Sequence, residues 1–287
     1  MNHIGSKIKQ LRVVKGSTQE ELASYLQITY QSVSKWETGG SLPDISYLPH
    51  LAAYFGITLD ELFGYRLDAL NYKERFIQFM ANSGVLKFGE FKLNSGRISP
   101  YFINTGNYRT GAQIAKLGEF YAECIREKGL QADVLYGPAY KGIPLAVATG
   151  IMLYAKFGMD WNYSFDRKEV KDHGEGGMIV GYHFKDGDRL LIVEDAITSG
   201  KVLREAMAKI LGIAKVKVSD MLVSVDRLEK GLTEQSAIQE VERNFGIHVH
   251  SIVTIDDIIA AIENGIILGS DKLPALMAYK EKFGVSK

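Results

Sequence analysis

Residues 189–201 read Arg-Leu-Leu-Ile-Val-Glu-Asp-Ala-Ile-Thr-Ser-Gly-Lys, and this run constrains the fold more than any other. The apolar residues Leu190 to Val193 fit a strand covered on both faces, as in a parallel sheet. The run ends in two carboxylates, Glu194 and Asp195. It then passes through small residues into a helix-periodic segment from about Val202. In α/β sheets, ligands bind beyond the carboxyl ends of the strands. A loop there that feeds a helix N-terminus offers backbone N–H groups and a positive dipole end to an anion. Thr198 and Ser199 add hydroxyl donors, and Gly200 lets the backbone approach closely. The acid pair repels a phosphate. It suits sugar hydroxyls, which donate to carboxylates, or a hydrated Mg²⁺. A plain strand-to-helix turn is the bland alternative.

The flanking sequence has the same vocabulary. Val134–Tyr136, Ile143–Tyr154, Met178–Phe184, Leu190–Val193, Val202–Leu211, Val216–Val225, His248–Thr254 and Ile258–Glu263 alternate between β-rich and helical runs. Such alternation predicts βαβ units and a mainly parallel, Rossmann-like α/β sheet. The apolar stretch Ile143–Ala155 is too short to span a bilayer and carries Pro144 and Gly150, so it reads as a buried helix. The N-terminus lacks a signal-peptide pattern. The single cysteine, Cys124, forms no intrachain disulfide, which fits a reducing, cytoplasmic setting. A formal net charge of zero excludes strong electrostatic binding by the whole surface but not by a local patch.

Residues 1–64 speak differently. Ile4, Ile8 and Leu11 recur at helical spacing, and Gly16 stops that helix. Thr18 and Glu21 form a capping box for a second helix, with Leu22, Ala23 and Leu26 inward. The turn Gln27-Ile28-Thr29 leads to a third helix over about Tyr30–Thr38, with Val33 and Trp36 inward. Two short helices around a tight turn make a helix-turn-helix arrangement. Gln31, Ser32, Ser34 and Lys35 then project outward, with chemistry suited to base edges and phosphates. Thr18-Gln-Glu-Glu-Leu-Ala, Gln31-Ser-Val-Ser-Lys-Trp-Glu and Ser41-Leu-Pro-Asp resemble the Xre/lambda-repressor family, which implies that Gln19, Gln31, Ser32, Ser34 and Lys35 meet a DNA operator. The opposing reading is a helical bundle that keeps the fold without DNA binding. Five basic residues stand against six acidic ones through Gly64, a net of −1, so a monomer holds phosphate weakly and binding calls for two copies on a two-fold site. The boundary falls in a linker at 65–72, with a second domain at 73–287.

Three further segments complete the second domain. Tyr136-Gly-Pro-Ala-Tyr-Lys-Gly-Ile-Pro144 is another strand-to-helix loop, with glycines flanking a lysine. Phe165-Asp-Arg-Lys-Glu-Val-Lys-Asp-His-Gly-Glu-Gly-Gly177 concentrates cations before glycines. It reads either as a solvated charged hairpin or as a mobile lid over a leaving group. Ser224-Val-Asp-Arg-Leu-Glu-Lys-Gly231 ends a strand at Arg227, whose fork suits a carboxylate ligand or a salt bridge to Glu229 or Asp226. With the acid-pair loop, these segments resemble the type I phosphoribosyltransferases, and the lid run resembles the orotate phosphoribosyltransferases among them.

That resemblance implies a reaction of phosphoribosyl diphosphate (PRPP) with orotate, Mg²⁺ as cofactor held mainly by PRPP rather than directly by protein, and a homodimer with shared active sites. By it, Arg167, Lys168, Lys171 and His173 are the catalytic cations. Tyr140, Lys141, Glu194, Asp195 and the loop residues Ala196, Ile197, Thr198, Ser199, Gly200, Lys201 and Val202 bind PRPP. Phe102, Ile103, Thr198 and Arg227 bind orotate, the first two from a hood at Phe91–Asn104. Three positions depart from the pattern: Glu194 replaces the commoner Asp, Lys201 a small or hydroxyl residue, and Asn94 a PRPP-touching lysine. The rival expectation is a transcription factor whose phosphoribosyltransferase fold senses PRPP or a nucleotide.

Overall fold

The computed structural model describes residues 3–63, 70–93, 95–171, 177–197, 200–231 and 233–285. Most of the expected linker at 65–72 lies outside them. The chain divides into two compact units, Met1–Leu70 and Asn71–Lys287.

The first unit holds α1 (His3–Val14), α2 (Gln19–Leu26), α3 (Tyr30–Glu37), α4 (Leu48–Phe55) and α5 (Leu59–Leu62). The capping box at Thr18/Glu21 forms and starts α2 where the sequence predicts, and a second at Thr58/Glu61 starts α5. Gln27 takes φ 56°, a left-handed cap that lets the chain reverse between α2 and α3. Ile8, Leu22, Val33, Leu51 and Leu62 are fully buried around Trp36. A buried ion pair crosses this core. Arg12 Nε and Nη2 donate to the two Glu37 carboxylate oxygens at 2.6 and 2.9 Å. Breaking one side of such a pair costs about 3–5 kcal/mol, because the other charge stays buried.

The second unit begins with α6 (Tyr72–Asn82) and a two-stranded antiparallel hood, β1 (Leu86–Lys92) with β2 (Ile98–Ile103). There follow α7 (Gly111–Glu127), β3 (Val134–Gly137), α8 (Gly142–Phe157), β4 (Asn162–Lys171), β5 (Gly177–Gly181), β6 (Arg189–Val193) and α9 (Lys201–Ile213). β7 (Lys217–Asp226), α10 (Ala237–Phe245), β8 (His248–Thr254), α11 (Ile255–Glu263) and α12 (Leu273–Phe283) close the unit. The sheet order is β5-β4-β3-β6-β7-β8. Every pairing is parallel except that of β5, which runs antiparallel on β4.

Strand alternation builds the layers. Leu135, Leu191, Val193 and Leu222 face one core, shared with α6, α7, α8, α11 and α12. Val134, Tyr136, Ile192, Met221 and Val223 face the other, covered by α9 and α10. Both faces are buried, so these strands read as continuous apolar runs. The chain leaves β3 toward β4 and returns beside β3 as β6, so the sheet's switch point lies between β3 and β6.

Strand β4 is missing from the runs that the sequence marks; Phe165–Lys171, open there to a charged hairpin or a lid, is its second half, and its charged residues hide the pairing with β3 and β5. One expectation needs correction. The Ile143–Ala155 helix forms within α8 but is not wholly buried. Leu145, Ala146 and Leu153 face the core, while Ile151 and Tyr154 are 57% and 64% exposed.

Candidate active site

Two loops leave the switch point. After β3 the chain closes tightly from Gly137 to Gly142. A Cβ on Gly137 would stand 2.0 Å from the Gly142 carbonyl oxygen, and one on Gly142 would stand 2.7 Å from the Gly137 carbonyl carbon. Only glycine fits at either position. This closure sets Lys141 immediately before α8, on the rim of the site. After β6, Glu194 and Asp195 begin the second loop, and Gly200 ends it at φ 64°, opening α9. Lys201 and Val202, exposed in the first turn of α9, stand beside that loop. Ala196 and Ile197 are described in it, whereas Thr198 and Ser199 lie outside the described residues.

The two loops meet. Lys141 Nζ lies 2.6 Å from Asp195 Oδ2 and 3.1 Å from Thr105 Oγ1. Thr105 Oγ1 also donates to Asp195 Oδ2 at 2.5 Å. Burial would raise the Asp195 pKa, but the Lys141 ammonium and the Thr105 hydroxyl outweigh it and hold the carboxyl below the usual range. Glu194 behaves oppositely. Its side chain turns inward and accepts the Asp195 N–H at 2.9 Å. Burial, with the neighbouring Asp195 charge, pushes its pKa upward. The acids are therefore unequal: Asp195 is the presented carboxylate and Glu194 the withdrawn one. Tyr121 donates its hydroxyl to the Glu194 carbonyl at 2.7 Å, and Ser224 donates to the Asp195 carbonyl at 2.6 Å. Sequence reasoning missed Thr105 and Tyr121, because the fold alone brings them to the acids.

β4 delivers cations to the same end of the sheet. Lys168 Nζ sits 5.2 Å from the ring centroid of Tyr140, joining the lid strand to the β3 loop. Arg167 Nη1 donates to the Gly177 carbonyl across the β4–β5 pair at 3.4 Å. The Lys171 side chain and His173 lie outside the described residues. Asp166, buried on β4, accepts the Ala139 N–H at 2.7 Å and pairs with Lys209 of α9. It fixes the β3 loop to the strand that carries the cations.

The base-reading candidates gather at the ends of β2 and β7. Arg227 donates from Nε and Nη2 to Glu229 Oε1 at 2.9 and 2.7 Å, and its Cζ lies 4.1 Å from the Tyr101 ring centroid. The Glu229 salt bridge weighed from sequence thus forms on the same arginine. Phe102 and Ile103 are consecutive on β2 and point to opposite faces. Phe102 stacks on Phe91, with centroids 5.4 Å apart, and Ile103 packs on the main core. A planar ring on one side of β2 therefore meets one of these side chains and only the backbone of the other.

In the first unit, Gln31 and Lys35 are exposed on α3, with Ser32 and Ser34 half-buried. The Ser32 hydroxyl shares a hydrogen bond with Thr29 at 3.1 Å. Gln19 Nε2 donates to Glu37 at 2.8 Å, so part of its amide is used inside the fold.

A mostly parallel sheet, with an anion loop and an acid pair at its switch point and a hood above, is the architecture of a type I phosphoribosyltransferase. A phosphoribosyl transferase domain model matches residues 104–253, and a helix-turn-helix model matches 8–62. An orotate phosphoribosyltransferase of Mannheimia succiniciproducens is 47% identical over 216 residues, covering 75% of this chain and 99% of that protein. One from Salmonella paratyphi A is 48% identical over 214 residues, covering 75% and 99%. The crystal structure of the Francisella tularensis orotate phosphoribosyltransferase aligns with TM-score 0.66 at 36% identity, over 73% of this chain and 99% of that one. The chain belongs to the orotate phosphoribosyltransferase family and carries a helix-turn-helix domain ahead of the family's fold.

Proposed function

We propose that this chain transfers the phosphoribosyl group of PRPP to orotate, giving orotidine 5′-monophosphate and diphosphate in pyrimidine nucleotide synthesis. The observation that carries the reading is the meeting of Lys141 with Asp195 at the switch point, 2.6 Å apart. A lysine aimed at a diphosphate and a carboxylate aimed at ribose hydroxyls belong to one ligand.

A ring nitrogen of orotate attacks the anomeric carbon as the carbon–oxygen bond to diphosphate breaks; the bonding pair leaves on the diphosphate oxygen, and the proton lost from the ring nitrogen leaves with the diphosphate. The transition state is oxocarbenium-like, so the protein's work is positioning and charge neutralisation. Lys141 and Tyr140, with Arg167, Lys168, Lys171 and His173, take the growing charge of the leaving group. Asp195 accepts from the ribose hydroxyls and Glu194 backs it. The loop from Ala196 through Ile197, Thr198, Ser199 and Gly200, with Lys201 and Val202 opening α9, cradles the 5′-phosphate at a helix N-terminus. Thr198, Phe102, Ile103 and Arg227 position the base.

Among the described residues no group of three or more His, Cys, Asp or Glu side chains could hold a metal ion. The adjacent carboxylates Glu194 and Asp195 would suit a hydrated Mg²⁺ held mainly by PRPP. When bound, Mg²⁺ supplies positive charge to the diphosphate.

The active form is a homodimer. The exposed row of Ile151 and Tyr154 on α8, with Tyr163 on β4, offers an apolar face to a second copy. No described helix is long and apolar enough to cross a membrane, and the enzyme works in the cytoplasm. The helix-turn-helix unit binds an operator through Gln19, Gln31, Ser32, Ser34 and Lys35, which makes the chain an enzyme with a DNA-binding function rather than a nucleotide sensor alone. The deciding experiment is diphosphate release from purified chain with PRPP and orotate. Release that depends on orotate supports the enzyme; its absence with PRPP still bound supports the sensor.

A further inference from the structure

Arg227 is held by more than one partner. Its Nε and Nη2 both reach Glu229 Oε1, at 2.9 and 2.7 Å, and Nη2 also reaches Ser99 Oγ at 3.1 Å. Glu229 is itself anchored. Tyr101 donates its hydroxyl to Oε1 at 3.0 Å, and Tyr279 donates to Oε2 at 3.2 Å. Ser99 and Tyr101 are buried on β2, and Tyr279 is buried on α12. The Tyr101 ring lies under the guanidinium, its centroid 4.1 Å from Cζ, and meets the Tyr279 ring edge-on at 6.2 Å. Two segments far apart in sequence, β2 and α12, thus converge on the Arg227–Glu229 pair.

The backbone between the pair is unusual. Leu228 adopts φ 49° although it is neither glycine nor asparagine. That left-handed turn is disfavoured for a branched residue and persists only where its surroundings impose it. Here the Leu228 N–H donates to Asp226 Oδ1 at 2.8 Å, and the Leu228 carbonyl accepts from the Val285 N–H at 2.8 Å. The turn folds Glu229 back onto Arg227.

Resting on the reading of Arg227 as the orotate contact, we infer that Glu229 is a positioning residue for base specificity, a carboxylate clamped by Tyr101 and Tyr279 that fixes the plane of the guanidinium. An arginine presents its donors in a rigid fork, and a carboxylate ligand is recognised only when one edge of that fork faces it. Glu229 and Ser99 occupy Nε and Nη2. Among the described residues Nη1 makes no hydrogen bond, so it is the nitrogen left to face orotate's carboxylate. Without Glu229 the buried cation keeps its charge and loses its orientation. A base lacking the carboxylate, such as uracil, then competes better with orotate.

The test uses the full chain with Glu229→Gln and Tyr279→Phe. Steady-state KM values for orotate and for PRPP are measured together, with the ratio of kcat/KM for orotate over uracil. Glu229→Gln raises the orotate KM by about tenfold or more, leaves the PRPP KM unchanged and lowers the orotate-over-uracil ratio. Tyr279→Phe moves the same two quantities less, and Glu229→Asp recovers part of the loss. Because Tyr279→Phe removes one hydroxyl, it reads the clamp even where Glu229→Gln destabilises the fold. An unchanged orotate KM in both variants, or equal rises for both substrates, overturns the inference and leaves a merely structural ion pair. A wild-type chain that releases no diphosphate with orotate overturns the reading beneath it, and the inference falls with that reading.

Discussion

Lys141 and Asp195 neutralise each other across the two loops, Nζ to Oδ2 at 2.6 Å. Under the proposed function PRPP would enter by exchange, its diphosphate taking the lysine and its ribose hydroxyls the carboxylate. Replacing Lys141 with Ala removes the diphosphate's partner and releases the restraint that keeps the Asp195 pKa low. The PRPP KM rises by about 10- to 100-fold, as for a lost charge-assisted hydrogen bond. The carboxylate is the form that accepts from ribose, so the acid limb of kcat/KM for PRPP moves to higher pH. A pH–rate series on both proteins checks this; superimposed acid limbs would show that Lys141 does not govern Asp195.

Glu194 leaves a signature in stability. Burial raises its folded pKa above that of the unfolded chain. A group shifted in that direction stabilises the fold fully below its unfolded value of roughly 4.3, and the contribution is lost as pH rises through the folded value. Glu194→Gln removes the dependence. Thermal melts across that window should fall with pH for the wild type and run flatter for the variant. Parallel curves would contradict the burial argument.

The lid assignment turns on Lys171. Lys171→Ala lowers kcat on the order of 100- to 1,000-fold, the cost of removing one group that stabilises transition-state charge. The melting temperature stays within a degree or two of the wild type, since the residue ends an edge pairing of β4 with β5. Near-normal orotate-dependent diphosphate release from this variant argues against the assignment.

The helix-turn-helix unit makes a separable prediction. Duplexes enriched by the full chain from a random pool should lose affinity with Lys35→Ala, and the slope of log K against log salt should shrink by about one for each phosphate contact removed. Gln31→Ala should cost about 1–3 kcal/mol on the enriched sequence and little on unrelated DNA. No enrichment at all would leave this unit as a bundle without a nucleic-acid role.

What the sequence made legible was local. Thr18 and Glu21 announce the start of α2 because a capping box is a four-residue object. The β6 loop announces itself because its strand, acids and glycine are contiguous. The ties that organise the site are not contiguous. Thr105 on Asp195 and Lys209 on Asp166 join residues dozens of positions apart, with no motif to mark them. The charges of Arg167, Lys168 and Lys171 hid β4, since they break the apolar alternation that betrays a half-buried strand. Phe102 and Ile103 fell together in a motif and apart in space, because a strand turns neighbours to opposite faces.

The clamp on Arg227 has a consequence in time as well as in space. Its hydrogen bonds span 128 residues from Ser99 and from Tyr101, and another 50 from Glu229 to Tyr279. Loop closure opposes distant contacts before they can stabilise anything. A folding chain therefore completes the clamp on Arg227 only when α12 docks against the hood.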